Sequence, residues 1–145
     1  MKYLALILAI LLAFSWTPWA RSQQPKSQSL VVYTVTGLNM KSTGATTIFT
    51  TEGERFHPLF CLAEITAASS LTIGASVSVG TNSSTFNNIL AASVTGTTVN
   101  NMLPNALSAL TDSVAPGTAV KANISIAATG TSGTLSVSVI GFYSN

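Results

Sequence analysis

The sequence has a single histidine and a single cysteine, His57 and Cys61, the residue types that most readily pair as a base and a nucleophile. Both lie in RFHPLFCLAE, whose aromatic and apolar content predicts a strand. Four residues of extended chain span about 13 Å, far beyond hydrogen-bonding distance. A Cys–His dyad is therefore excluded, and because no nucleophile elbow occurs, we predict no catalytic residue. Apolar neighbours predict that Cys61 is a buried structural thiol.

Acidic residues offer two further kinds of site. Glu52 and Glu54 have the alternate spacing that places two carboxylates on one strand face, as glycoside hydrolysis requires. They flank Gly53, however, and a solvated turn is the favoured interpretation. Zinc sites need several Cys or His ligands, and calcium loops need closely spaced Asp and Asn residues. Neither pattern is present, so no metal or cofactor is predicted.

Glu64 follows an apolar run, and in a regular strand it would lie on the same face as Phe60 and Leu62. A carboxylate buried alone is costly, so we expect a structural partner, either Lys121 or backbone amides.

Exposed aromatic side chains beside amide-rich loops would suit a carbohydrate. Asparagine pairs at 87–88 and 100–101 supply such loops. The alternative for these rings is packing in the core. The candidate ligand-facing residues are Phe56, His57, Phe86 and Tyr143.

The first 22 residues have the form of a secretory signal, with Lys2 followed by an apolar run that is too short to span a bilayer. Small residues favour cleavage after Ser22. We therefore expect a signal peptide at 1–22, a flexible leader at 23–29 and one domain at 30–145. The mature protein would be secreted, extracellular or periplasmic, with no membrane attachment after signal removal.

Charge is scarce after that cleavage: four basic and four acidic residues remain among 123, while 36 are Ser or Thr. The basic residues are scattered singly, and nucleic-acid binding needs them clustered, so we expect no nucleic-acid partner. A weakly charged surface lacks the repulsion that keeps protein molecules apart. Composition thus favours self-association.

The elements that position these residues are short and β-rich, with regularly spaced turns. Predicted strands lie at 30–35, 46–51, 119–127 and 134–143. The segment 55–80 is predicted to be a core hairpin of two strands, with the small residues 67–70 as its turn. Segment 37–44 is predicted to be a loop, and 86–92 reads equally as a helical turn or a strand. Pro58 cannot donate to a ladder, so its strand is either an edge or bulged there.

This pattern predicts an all-β chain forming a single antiparallel β-sandwich, with a jelly roll preferred and an immunoglobulin-like sandwich second. On the last strand one face is apolar throughout, but the other begins with serines and becomes apolar at Ile140 and Phe142. A half-solvated strand would stay polar on that face. We therefore predict a subunit contact at Ile140, Gly141 and Phe142.

Five short motifs carry a family resemblance: GATTIFT at 44–50, RFHP at 55–58, VGTN at 79–82, APGTA at 115–119 and VIGFY at 139–143. Their combination resembles the small jelly-roll domains of phage virion and tail-associated proteins, and more distantly tumour-necrosis-factor-like domains. The resemblance implies a homo-oligomer, with a trimer favoured, or decoration of a larger assembly, and it brings no catalytic residues. The expected function is a secreted, non-catalytic structural or adhesive subunit; the alternative is a carbohydrate-binding, lectin-like module with a glycan partner.

Overall fold

A computed structural model describes residues 29–101 and 111–144, and within these ranges every regular element is a β-strand. The seven strands are β1 (Val31–Asn39), β2 (Gly44–Thr50), β3 (Arg55–Ser69), β4 (Ser76–Gly80), β5 (Leu90–Val94), β6 (Ala119–Ile126) and β7 (Ser132–Ser144). They form two antiparallel sheets, which confirms the predicted β-sandwich. No helix in the described ranges is long and apolar enough to cross a membrane. The predicted signal peptide and most of the predicted leader lie outside the described residues.

The three-stranded sheet has the order β1-β7-β3, and the four-stranded sheet has the order β2-β6-β4-β5. The two strands predicted in 55–80 are present as β3 and β4, but they lie in different sheets. Their connection therefore crosses the sandwich instead of forming a hairpin. Strands β1 and β2 also lie in opposite sheets, whereas the immunoglobulin arrangement places its first two strands side by side.

Alternating side chains build the core between the sheets. Val120, Ala122 and Ile124 of β6 are buried as the sequence predicts, although Ile126 at the end of that strand is exposed. From β7, the inner face contributes Leu135, Val137 and Val139, each 0% exposed. This pattern confirms which face of the last strand points into the sandwich.

Of two turn and loop predictions that involve glycines, the one at Gly117 is confirmed and the one at Gly37 is wrong. Gly117 adopts φ 73° in the turn after Pro116, as the Pro-Gly pair predicts. At Gly37 the predicted loop is wrong, because β1 continues to Asn39. A register shift between Val35 and Leu38 absorbs the positive φ of Gly37, so the glycine bends the strand without ending it.

The segment 86–92 is not helical, and β5 begins at Leu90. Side-chain hydrogen bonds hold the residues before it: Asn82 Nδ2 donates to Thr85 Oγ1 (2.7 Å) and to Asn87 Oδ1 (3.0 Å). Such short-range bonding to Asn and Thr competes with helix formation.

A β-bulge near the start of β3 decides which side chains face outwards. The pairing of β3 with β7 shifts between Pro58 and Phe60, so Leu59 is the extra residue. Both features that Pro58 indicated are therefore present, because β3 is bulged here and is also an edge strand of its sheet. Phe56 lies before the bulge and points into the core, while Phe60, of the same sequence parity, lies after it and points outwards.

Candidate interaction surface

The outer face of the three-stranded sheet carries an apolar row that runs across all three strands. Val32 of β1 pairs with Ile140 of β7, and Ile140 pairs with Phe60 of β3. Val32 is 59% exposed, and Leu59 at the adjacent bulge is 42% exposed. Ile140 and Phe60 are half-buried. The bulge and the alternation of the strands together bring these residues to one surface.

The neighbouring row holds the only histidine. His57 pairs with Phe142, and their rings stack with centroids 5.0 Å apart and an interplanar angle of 11°. The Nδ1–H of His57 donates to the main-chain oxygen of Asp112 (2.8 Å), and Nε2 accepts from the hydroxyl of Ser144 (2.7 Å). The main-chain oxygen of Asp112, not its carboxylate, orients the ring, so this is not a Ser–His–Asp triad.

The opposite end of the same face is polar. Thr34 and Ser138 share a hydrogen bond of 2.8 Å between their hydroxyls, and Glu64 of β3 lies opposite Ser136. Glu64 is half-buried on this outer face, so its carboxylate keeps contact with solvent. The expected pairing with Lys121 is absent: Lys121 lies in the four-stranded sheet, with Nζ 5.2 Å from the centroid of the Phe86 ring.

Gly141 does not belong to the outer surface, which corrects the contact prediction for this residue. It is buried, and a Cβ added there would overlap the main-chain oxygen of His57 and the ring of Phe56. The close approach that this glycine permits is therefore within one chain, between β7 and β3. Ile140 and Phe142, on either side of it, do point outwards, and their role in a subunit contact stays a prediction.

The candidate ligand-facing residues do not form one site. Phe56 is 0% exposed and packs against Phe49 (5.0 Å between ring centroids), Tyr143 (5.3 Å) and Tyr33 (6.1 Å). An external ligand does not reach it, which corrects that prediction. His57 lies on the outer face of the three-stranded sheet, while Phe86 lies in the loop that covers the four-stranded sheet.

Tyr143 is the remaining member of that set, and it lines an open cleft of about 470 Å³ at the rim of the sandwich. Its hydroxyl is 3.0 Å from that of Tyr33, whose ring stacks on Phe49 at 4.0 Å. Desolvation raises the pKa of the Tyr143 phenol, and the hydrogen bond to Tyr33 raises it further. The hydroxyl therefore stays protonated at neutral pH. Glu52 and Glu54 complete the acidic side of the cleft.

Strand β4 of the four-stranded sheet is covered by the chain's own loop. All five residues of β4 are buried, because the loop 81–89 folds over the strand. Ser78 Oγ donates to the main-chain oxygen of Thr85 (3.0 Å), and Thr81 N donates to Asn88 Oδ1 (2.7 Å). This side of the molecule thus presents a polar loop over β4, with Val94 of β5 and Ile126 of β6 exposed beside it.

The thiol of Cys61 and possible metal ligands are the remaining candidates from the sequence. Cys61 is 2% exposed, as predicted, and burial raises the pKa of its thiol to about 12. Within 29–101 and 111–144 no group of three His, Cys, Asp or Glu residues is placed to hold a metal ion. The structure adds three features that sequence reasoning missed: the His57–Ser144 hydrogen bond, the cleft, and the continuous apolar row. Each depends on pairing between distant strands, for which no local signal exists.

No protein-family model and no curated protein matches the chain. Among solved structures, it is similar to a chain of the cyanophage Pam1 capsid asymmetric unit, at 17% sequence identity and a TM-score of 0.45. The match covers 80% of this chain and 84% of that one. A likeness at this level carries no conclusion about function.

Proposed function

We propose that this protein is a non-catalytic structural subunit that self-associates through the outer face of the three-stranded sheet. The observation that carries the proposal is the row Val32–Ile140–Phe60, an apolar band across a solvent-facing sheet. Contiguous apolar surface on a soluble domain marks an interaction site. Only 7% of residues are charged, so long-range repulsion between copies is weak.

The difference between the two outer faces supports this assignment. The polar loop 81–89 covers β4 on one side, whereas Val32 and Leu59 are exposed on the other. Val94 and Ile126 are also exposed on the four-stranded sheet, but both pair with Ser76, which separates them. The uninterrupted apolar row Val32–Ile140–Phe60 therefore favours a specific contact on the three-stranded sheet.

The proposal includes the jelly-roll topology, and the strand order supports it. The chain changes sheet after β1, after β2 and after β3. Between β5 and β6 it returns to the three-stranded sheet, where Val114 pairs with Phe56. Repeated crossing between two sheets is the connectivity of a jelly roll. The sequence resemblance to phage jelly rolls agrees with this connectivity.

Sedimentation velocity over a concentration series tests self-association and counts the subunits. We expect wild-type protein to associate, and Val32→Ser or Phe142→Ser to shift it to monomer while the β-type circular dichroism is retained. Ile126→Ser is the matched control, because Ile126 is an exposed isoleucine of the four-stranded sheet (64%). A wild-type monomer at the highest concentration would overturn the proposal, as would dissociation by Ile126→Ser alone.

Secretion belongs to the same proposal and is supported by the charged and apolar pattern of residues 1–22. Intact-mass analysis of exported protein should give a chain that starts at Gln23. Recovery of a membrane-bound chain that starts near Met1 would contradict it.

Carbohydrate binding is the second candidate, and the rim cleft favours it. Two tyrosine hydroxyls, Thr50 and two carboxylate side chains line about 470 Å³ there, a mixture of aromatic and hydrogen-bonding groups that suits a sugar. A glycan-array screen tests the idea, with Tyr143→Ala as the binding-deficient variant. Phe86→Ala is the control, because Phe86 lies in a different surface region. The absence of any hit with folded protein would remove this candidate.

A further inference from the structure

Two opposite charges lie symmetrically on either side of the apolar row. On the strands of the three-stranded sheet, the outward charged side chains are Arg55 and Glu64, both on β3. Arg55 pairs with Ser144 and Glu64 pairs with Ser136. Both partners are four positions from Ile140 along β7, or about 13 Å at the rise of a strand.

The bulge creates this symmetry. Phe60, the β3 member of the apolar row, is four residues from Glu64 but five residues from Arg55 in the sequence. The extra residue Leu59 takes up the difference, because the register shift falls between Pro58 and Phe60. The face therefore has an apolar centre, a positive charge at one end and a negative charge at an equal distance at the other.

We propose that two copies pack face to face about a two-fold axis that runs along the row Val32–Ile140–Phe60. Because this axis lies in the interface, each strand of one copy runs antiparallel to the same strand of the other copy. The apolar row of one copy then lies directly over the apolar row of the other. Arg55 of each copy then faces Glu64 of the other, which gives two equivalent ion pairs. The apolar row and its charged ends are thus self-complementary, as an isologous contact requires. Between them, Phe142 of each copy lies over Ser138 of the other, so the row and the two ion pairs carry the contact.

The dimensions allow the contact and limit its strength. Packed sheets lie about 10 Å apart, a gap that the long Arg and Glu side chains can bridge from facing strands. The face between the two charges measures about 14 Å by about 26 Å, so each copy contributes roughly 400 Å². This is below the roughly 800 Å² per partner of a standard stable interface. The dimer is therefore weak and concentration-dependent.

The present partners of the two residues leave them available for this role. Arg55 Nη1 donates to the exposed hydroxyl of Ser113 (3.2 Å), a neutral partner. No ion pair to Glu64 is found within the described part of the chain, and neither β1 nor β7 contributes a charged residue. The inference rests on the proposed function, and it adds the partner's orientation and the residues that fix it.

Charge reversal tests the arrangement. In Arg55→Glu two carboxylates would face each other at both ends of the contact, and in Glu64→Arg two guanidinium groups would. Each single variant should therefore dimerise roughly tenfold more weakly than wild type, or worse, at low salt. A mixture of the two variants should form heterodimer, because every facing pair in it is again opposite in charge. The double variant, Arg55→Glu with Glu64→Arg, should recover the homodimer and serves as the folding control.

Native mass spectrometry of the mixture, with one variant ¹⁵N-labelled, measures heterodimer directly, and sedimentation velocity gives the association constants. Preferential heterodimer supports the two-fold contact. Random mixing, unchanged association of the single variants or a trimeric mass overturns it. If wild type associates and Val32→Ser dissociates it while charge reversal has no effect, only the two-fold arrangement fails. If wild type does not associate at all, the proposed function fails with it.

Discussion

Replacing Phe56 with Leu tests whether this ring is part of the core or a ligand-facing group. The side chain is fully buried and has three aromatic neighbours with centroids within 6.1 Å. An aromatic pair contributes about 0.5–1.5 kcal/mol beyond its buried area, and the shorter side chain also leaves a cavity. We expect a loss of about 2–4 kcal/mol from a total stability of roughly 5–15 kcal/mol.

Urea unfolding followed by far-UV circular dichroism measures this loss at one fixed protein concentration. A fixed concentration matters because self-association adds to apparent stability. With an m-value of about 2 kcal/mol/M, the middle of the usual range, the midpoint should fall by about 1–2 M. Phe86→Leu is the control: Phe86 is half-buried and lies outside the aromatic cluster, with Lys121 over its ring, so we expect less than about 1 kcal/mol. If Phe56→Leu unfolds at the wild-type midpoint, the assignment of Phe56 to the core is wrong.

Three other perturbations follow from the same packing. Gly141→Ala should lower stability by about 1–3 kcal/mol, because its Cβ would overlap the His57 carbonyl and the Phe56 ring; an unchanged urea midpoint would contradict this. Cys61 should resist alkylation at pH 8 in native protein and react fully in urea, since burial raises its thiol pKa to about 12 and leaves almost no thiolate; rapid native labelling, read by mass spectrometry, would contradict this. Deleting Leu59 should abolish the cooperative thermal transition, whereas Leu59→Ala, which keeps the bulge, should change stability by less than about 1 kcal/mol. A deletion variant that melts like wild type would show that the bulge does not fix the register.

Local patterns in the sequence were sufficient to predict the class of the fold. Alternation on β6 and β7 identified buried residues such as Val120 and Val137, because every second side chain of a strand faces the core. The same logic could not show that β3 and β4 belong to different sheets. A hinge of small residues fits a hairpin and a crossover equally well, and the choice depends on pairing with β7 and β6.

Candidate site residues were harder to predict because exposure depends on the other strands. Phe56 and Phe60 have the same parity, and a regular strand would place both on one side. Pro58 indicated either a bulge or an edge, but only the pairing with β7 shows that Leu59 is the extra residue. For Glu64, the apolar neighbours suggest burial and hence a partner, either Lys121 or backbone amides. Those neighbours, Phe60 and Leu62, in fact lie on the outer face with it.

The bulge links the stability of the fold to the proposed contact. Without the extra residue, the four residues that precede it would either slip along β7 or turn over, which would bring Phe56 out of the core and Arg55 into it. With it, Phe56 completes the aromatic cluster with Phe49 and Tyr143. The same insertion places Arg55 opposite Ser144. Arg55 and Glu64 therefore lie at equal distances from the apolar row, on opposite sides of it. Leu59 itself is left exposed beside Phe60, where it extends the apolar centre of that face. One local irregularity in β3 therefore determines both which rings stabilise the sandwich and which residues a second copy would meet.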